Sequence, residues 1–235
     1  MIKAIFFDLD GTLLPIKDSE FYSLYIKLLV KKLVNYGYDA NELIKQTQTL
    51  MKLQYENNGS KTNEEVYIDY FYSIYGEKLL SDMPIIDNFY KEEFKELKTI
   101  CRENKLAKEI VKYAKDKVGI VVLTTNPILP FEALKTRMSF IDLSENDFDF
   151  ITKYEESHYT KPNPSYFKEV LDKLNLKGEE VILFGNNKLE DGECARACNI
   201  KVYLLKDYLI DYDTDYEYEV IDFKDIPSII DKEVN

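Results

Sequence analysis

Two aspartates one residue apart, Asp8 and Asp10, end an apolar run and are followed by Gly11 and Thr12. On an extended chain, side chains two apart point the same way. Both carboxyls therefore emerge together at the carboxyl end of a strand, where open α/β sheets bind their ligands. Two acids this close do not both ionise without a nearby cation unless one keeps its proton. The pair suits a metal-held nucleophile at Asp8 and a protonated donor to a leaving group at Asp10. The competing reading is local and structural: a strand-end Asx turn in which Gly11 takes a positive φ and Thr12 caps a helix.

Three further apolar runs end in polar residues able to serve the same chemistry. Residues 118–123 lead into Thr124, Thr125 and Asn126, where a hydroxyl and an amide can meet phosphoryl oxygens beside the N–H groups of a helix start; Thr125, directly before the asparagine, is preferred over Thr124. A plain turn with a threonine cap is the alternative. Lys161 stands before Pro162 and Pro164, whose rings restrict the backbone ahead of a helix, and it can neutralise a nucleophile and a phosphate; alone it also reads as a surface charge. The run 181–185 gives way to Asn186, Asn187, Glu190 and Asp191. Carboxylates here can hold Mg²⁺ opposite Asp8, or simply favour the next helix amino terminus.

The elements that must carry these residues follow from periodicity. Strands are expected over 2–8, 118–124, 148–152, 181–185 and 200–205, with an edge strand over 220–223 and a short helix from Pro227. Their alternation with helices implies a parallel sheet with right-handed crossovers. Between the first and second strands the pattern is helical: a helix capped by Asp18 or Ser19 and stopped at Gly37, and a second over 41–54. A third opens on the Thr62/Glu65 capping box and ends at Gly76, and a fourth opens at Pro84 and carries Phe94 and Leu97. The expected organisation is a core of residues 1–15 plus 100–235 and a helical bundle over 16–99.

Composition narrows the function. A 45% hydrophobic content with 19 Tyr and 13 Phe excludes a disordered or fibrous chain, and the net charge of -12 disfavours nucleic acid or anionic lipid as a partner. There is no membrane-length apolar run and no signal-peptide pattern, which predicts a cytoplasmic protein. Cys101, Cys194 and Cys198 lack metal-ligand or redox spacing, and the single histidine, His158, excludes multi-histidine metal sites. The acidic stretch Asp211, Asp213 and Asp215 lacks the glycine of a calcium loop.

Together the four strand ends resemble the haloacid dehalogenase-like hydrolase superfamily in its phosphatase branch, through Asp8-Leu9-Asp10-Gly11-Thr12, Thr125-Asn126, Lys161-Pro162 and Gly185 to Asp191. The resemblance implies a three-layer Rossmann-like core with the helical insertion as a cap. It implies a metal-dependent phosphatase acting on a small phosphorylated metabolite through an aspartyl-phosphate on Asp8, with Asp10 as acid and then base. Thr125, Asn126 and Lys161 would bind the phosphoryl group. Mg²⁺ would sit on Asp8, the Asp10 carbonyl, Asn186 and Asp191. The chain departs from the family at Asn186, where an aspartate is usual, so a weakened metal site, compensation by Glu190 or Asp191, or a catalytically weak binding protein are all consistent with it. A phosphomutase would use the same nucleophile.

Overall fold

The computed structural model describes residues 1–234. The first strand, β1 (Ala4–Phe7), lies inside a six-stranded, wholly parallel sheet with β2 (Ile120–Leu123), β3 (Phe150–Ile151), β4 (Val181–Gly185), β5 (Lys201–Leu205) and β6 (Glu219–Ile221), in the order β3-β2-β1-β4-β5-β6. The expected strands are present, trimmed by one or two residues at several ends, and β6 begins one residue earlier than expected. Phe7 is in register with Leu123 on one side and Phe184 on the other, so β1 is covered on both edges. The chain order reverses between β1 and β4, which places a ligand crevice at their carboxyl ends.

Period-two alternation distributes the strand residues between two helical layers. Ile5, Phe7, Val121, Leu123, Ile182 and Phe184 pack on one face beneath α5 (Ala107–Lys117), α6 (Phe131–Ser139) and the carboxyl-terminal helix α8 (Ile226–Val234). Ala4, Phe6, Val122 and Leu183 face α7 (Ser165–Leu174), which contributes Tyr166, Phe167 and Val170. Burial of each large side chain contributes about 2 kcal/mol, which fixes register, because a one-residue slip would exchange the faces.

Between β1 and β2 run α1 (Asp18–Leu33), α2 (Ala40–Tyr55), α3 (Asn63–Tyr75) and α4 (Glu77–Lys91), followed by a 3₁₀ stretch, Glu93–Ile100. They share a second apolar cluster built on Tyr25, Leu29, Leu50, Phe71, Phe89 and Phe94, into which α6 inserts Ala133. The Thr62/Glu65 capping box forms as expected, and Asp39 caps α2 by accepting from the N–H groups of Asn41 and Glu42. Three local expectations are corrected. Neither Asp18 nor Ser19 caps α1, which starts at Asp18 without a side-chain cap. Gly37, with φ +83°, follows a 3₁₀ turn, Val34–Tyr36, rather than α1 itself. Pro84 lies within α4, which starts at Glu77; tertiary packing outweighs one missing backbone donor, and Phe94 and Leu97 fall in the 3₁₀ stretch beyond. No helix among the described residues is long and apolar enough to cross a membrane.

Candidate active site

Asp8 follows β1 directly, and its N–H donates to the Phe184 carbonyl of β4, so the nucleophile candidate is anchored to the centre of the sheet. Gly11 takes φ +76°, as its place after the strand suggested. A Cβ there would lie 2.2 Å from Asn186 Nδ2, so this turn can pass the β4 loop only as glycine. Thr12 caps no helix; its hydroxyl donates to Asn186 Oδ1 at 3.2 Å and ties the first motif to the last.

Lys161 is 1% exposed, and its Nζ donates to Asp8 Oδ1 at 2.8 Å and to Asp191 Oδ1 at 2.6 Å. One ammonium thus bridges two buried carboxylates. Burial works against the lysine's charge, but Asp191 and Asp8 more than offset it and keep it protonated well above the ordinary lysine range. Burial pushes the Asp8 carboxyl up to about 8, with Lys161 pulling against it and Asp191 and Asp10 adding to it. The other oxygen of Asp191 accepts from the N–H groups of Asn186 and Asn187, both at 3.0 Å, so this carboxylate also shapes the loop after β4. Gly185 is required there, because a Cβ would lie 2.5 Å from Asp191 Cγ.

The Thr125 and Asn126 pair also reaches the site. Thr124 donates its hydroxyl to the Phe7 carbonyl, while Thr125 and Asn126 line the cavity. Tyr166 from α7 donates to the Thr125 carbonyl at 2.8 Å and holds this turn from below. Asn126, expected to bind phosphate, has both amide atoms engaged. Its Oδ1 accepts from the Lys161 N–H at 3.1 Å, and its Nδ2 lies 3.2 Å from the Lys161 carbonyl and 3.2 Å from Glu190 Oε2. The amide clamps the peptide that carries Lys161.

Sequence reasoning missed Arg137. This α6 residue is 4% exposed, pairs through Nη1 with Asp10 Oδ2, and stacks its guanidinium 5.5 Å from the centre of the Phe21 ring. Asp10 Oδ1 is buried with no hydrogen-bond partner among the described residues. A signal for Arg137 was present: arginine occurs at only three positions in a lysine-rich chain, and this one shares a helical face with Ala133, Leu134 and Met138. Tyr55 of α2 was also missed; its hydroxyl reaches Glu190 Oε1 at 3.3 Å and so links the helical layer to the β4 loop. His158, outside the site, contacts Glu169 at 2.8 Å.

The residues enclose a cavity of about 310 Å³ between the strand ends and the helical layer. For a divalent ion the donors are hard oxygens: the second oxygen of Asp8, the Asp10 carbonyl and Asn186 Oδ1, which also accepts from the Thr12 hydroxyl. The Asn186 amide is oriented by Nδ2 donating to the Tyr208 carbonyl at 2.9 Å. That chemistry fits Mg²⁺, which takes one or two carboxylates and completes its shell with water and phosphate oxygens. Asp191 would join only by sharing oxygens already used by Lys161 and the loop. No group of three or more His, Cys, Asp or Glu side chains among the described residues is arranged as a metal cage.

A family model for haloacid dehalogenase-like hydrolases matches residues 2–199. The chain belongs to that family. Solved structures share the fold across nearly the full length of both chains. A predicted phosphoglycolate phosphatase from Haemophilus somnus is 18% identical over 97% of each chain, with a TM-score of 0.59. A 2-haloacid dehalogenase from Pseudomonas syringae is 14% identical over 99% of each, with a TM-score of 0.69. A protein from Bacillus subtilis assigned as a HAD hydrolase and bound to magnesium is 16% identical over 97% of this chain and 98% of its own, with a TM-score of 0.58. No curated protein matches the sequence.

Proposed function

We propose that the protein is a Mg²⁺-assisted phosphatase of small phosphomonoesters, with residues 16–99 acting as the cap over the reaction centre. The observation that carries this reading is the pairing of Asp8 with the Lys161 ammonium at 2.8 Å, directly beside a second acid, Asp10, whose Oδ1 is buried with no partner among the described residues. An Asp8 oxygen attacks phosphorus, forming the aspartyl-phosphate as the bond to the ester oxygen breaks. Asp10 passes a proton through Oδ1 to the departing oxygen, while Arg137 keeps Oδ2 in place. Asp10 then accepts a proton from water, whose oxygen attacks phosphorus and releases inorganic phosphate, restoring the Asp8 carboxylate. Lys161 and the hydroxyl of Thr125 stabilise the charge on the transferring group, and Asn126 and Asp191 position Lys161. A bound Mg²⁺, held by Asp8, the Asp10 carbonyl and Asn186, supplies further positive charge at the phosphoryl oxygens.

The acid at position 10 favours phosphoryl transfer over dehalogenation, because a departing halide needs no proton whereas an alkoxide does. Phosphate release from an aryl phosphate, with and without Mg²⁺, tests the reading, with Asp8→Asn as control. Turnover by Asp8→Asn at the parent rate would overturn it. The uncharged Asn186 supports a second reading, a binding protein with little catalysis; absence of Mg²⁺-dependent phosphate release across a broad metabolite panel would favour it.

A further inference from the structure

We infer that the cavity selects a phosphomonoester whose alcohol portion is largely apolar, bears a hydrogen-bond donor, and carries no negative charge. This rests on the phosphatase reading for the position of the phosphoryl group at Asp8 and Lys161, and it concerns the rest of the cavity.

Beyond the reaction centre the wall is supplied by aromatic and aliphatic side chains: Phe21 and Tyr22 of α1, Leu50 and Met51 of α2, Tyr67 of α3 and Leu129. The cations of the cavity are Lys161 and Arg137, and both are already paired, Lys161 with Asp8 and Asp191 and Arg137 with Asp10. With a phosphate dianion and a divalent ion in place, the carboxylates and the phosphate at least balance the positive charges, so no positive charge is left over. Two further acids, Asp18 at the mouth and Glu190 on the β4 loop, line the same space. A second phosphate or a carboxylate on the substrate would therefore meet like charge, with no unpaired cation among the described residues of the cavity to receive it.

A second observation points to what the cavity does accept. Gln54 is 1% exposed and lines the cavity; its Nε2 is held by the carbonyls of Asn63 and Ile128, each at 3.3 Å, and its Oε1 is buried without a partner among the described residues. A buried carbonyl oxygen fixed in this way is an unfilled acceptor, and leaving it so is costly. A hydroxyl or amino group on the alcohol portion would satisfy it. The hydroxyl of Tyr22, which also lines the cavity, is likewise buried with no partner among the described residues.

The test uses the intact protein with Mg²⁺ and four matched ligands: benzyl phosphate and its para-hydroxymethyl, para-aminomethyl and para-carboxy derivatives, together with the corresponding non-hydrolysable phosphonates. The phosphonates, titrated by calorimetry, report binding whether or not turnover occurs. The expected order places the hydroxymethyl and aminomethyl compounds first, with the carboxy compound weaker than benzyl by at least about tenfold. Asp18→Lys, an exposed change, should narrow that gap by severalfold. A carboxy phosphonate that binds as tightly as the benzyl one overturns the inference, and so does a gap unchanged in Asp18→Lys. If the phosphonates follow the expected order but no phosphate ester is hydrolysed, the pocket assignment stands and the phosphatase reading fails.

Discussion

Replacing Arg137 by Met removes a charge from the interior while keeping much of the side chain's volume. The Arg137 side chain is 5% exposed and that of Asp10 is 20% exposed, so the pair is nearly shielded from water and breaking it leaves the Asp10 carboxylate largely unsolvated. Breaking a buried pair costs about 3–5 kcal/mol; the residual exposure of Asp10 places this case near the lower end, at about 3 kcal/mol. For a chain of 235 residues that corresponds to a fall in Tm of roughly 6–12 °C. Asp10→Asn should destabilise for the complementary reason, by stranding the guanidinium. The double variant, Arg137→Met with Asp10→Asn, should recover more than about 1 kcal/mol relative to the sum of the single changes. Urea unfolding of the four proteins at constant m-value measures this directly. On the proposed phosphatase reading, in which Arg137 acts only by holding Asp10, kcat for phosphate release should drop about 100-fold in Arg137→Met with little change in KM. Singles that add within about 0.5 kcal/mol, or an Arg137→Met protein as stable as its parent, would refute the claim that this ion pair is a coupled, buried unit.

The Asp8 carboxyl binds its proton more tightly folded than unfolded, since burial raises it to about 8. Its contribution to stability therefore falls as pH rises from about 4 toward about 8 in the metal-free protein, so denaturation midpoints of the parent should decline relative to Asp8→Asn across that range; parallel curves would contradict this. For the same reason Mg²⁺ should raise the parent's midpoint more at pH 8 than at pH 6, because ion and proton compete for the same oxygens. Asn186→Asp adds a charged donor beside Asp8 and should tighten Mg²⁺ binding by about tenfold in calorimetry, although it forfeits the donor to the Tyr208 carbonyl; equal affinities would remove the argument from charge. Gly185→Ala forces Asp191 to move and with it Lys161, and should cost about 2 kcal/mol of stability together with most of the activity; a variant as stable and active as its parent would show that the loop yields freely.

How much was legible in the sequence varied with the range of the interaction responsible. Strand ends are set by local chemistry: apolar runs 181–185 and 200–205 stop where side chains turn polar, and both strands appear at nearly those limits. Caps that close within four residues, such as Thr62 with Glu65, were equally legible. Pro84 misled because a local rule against proline inside helices is overridden by packing of Leu79, Ile86, Phe89 and Tyr90 around it.

The primary structure by itself determined the parallel core and the helical insertion, because two- and four-residue periodicities encode which face each residue occupies, whereas the gathering of Asp8, Thr125, Lys161 and Asp191 was legible only through the resemblance of their motifs to a known family. Only the tertiary structure decided that Lys161 bridges two carboxylates, that Asn126 spends its amide on the lysine's own backbone, and that Arg137 reaches Asp10 across 127 positions of chain. Those contacts depend on where whole elements dock, and a side chain's own neighbours in sequence carry no record of what stands opposite it.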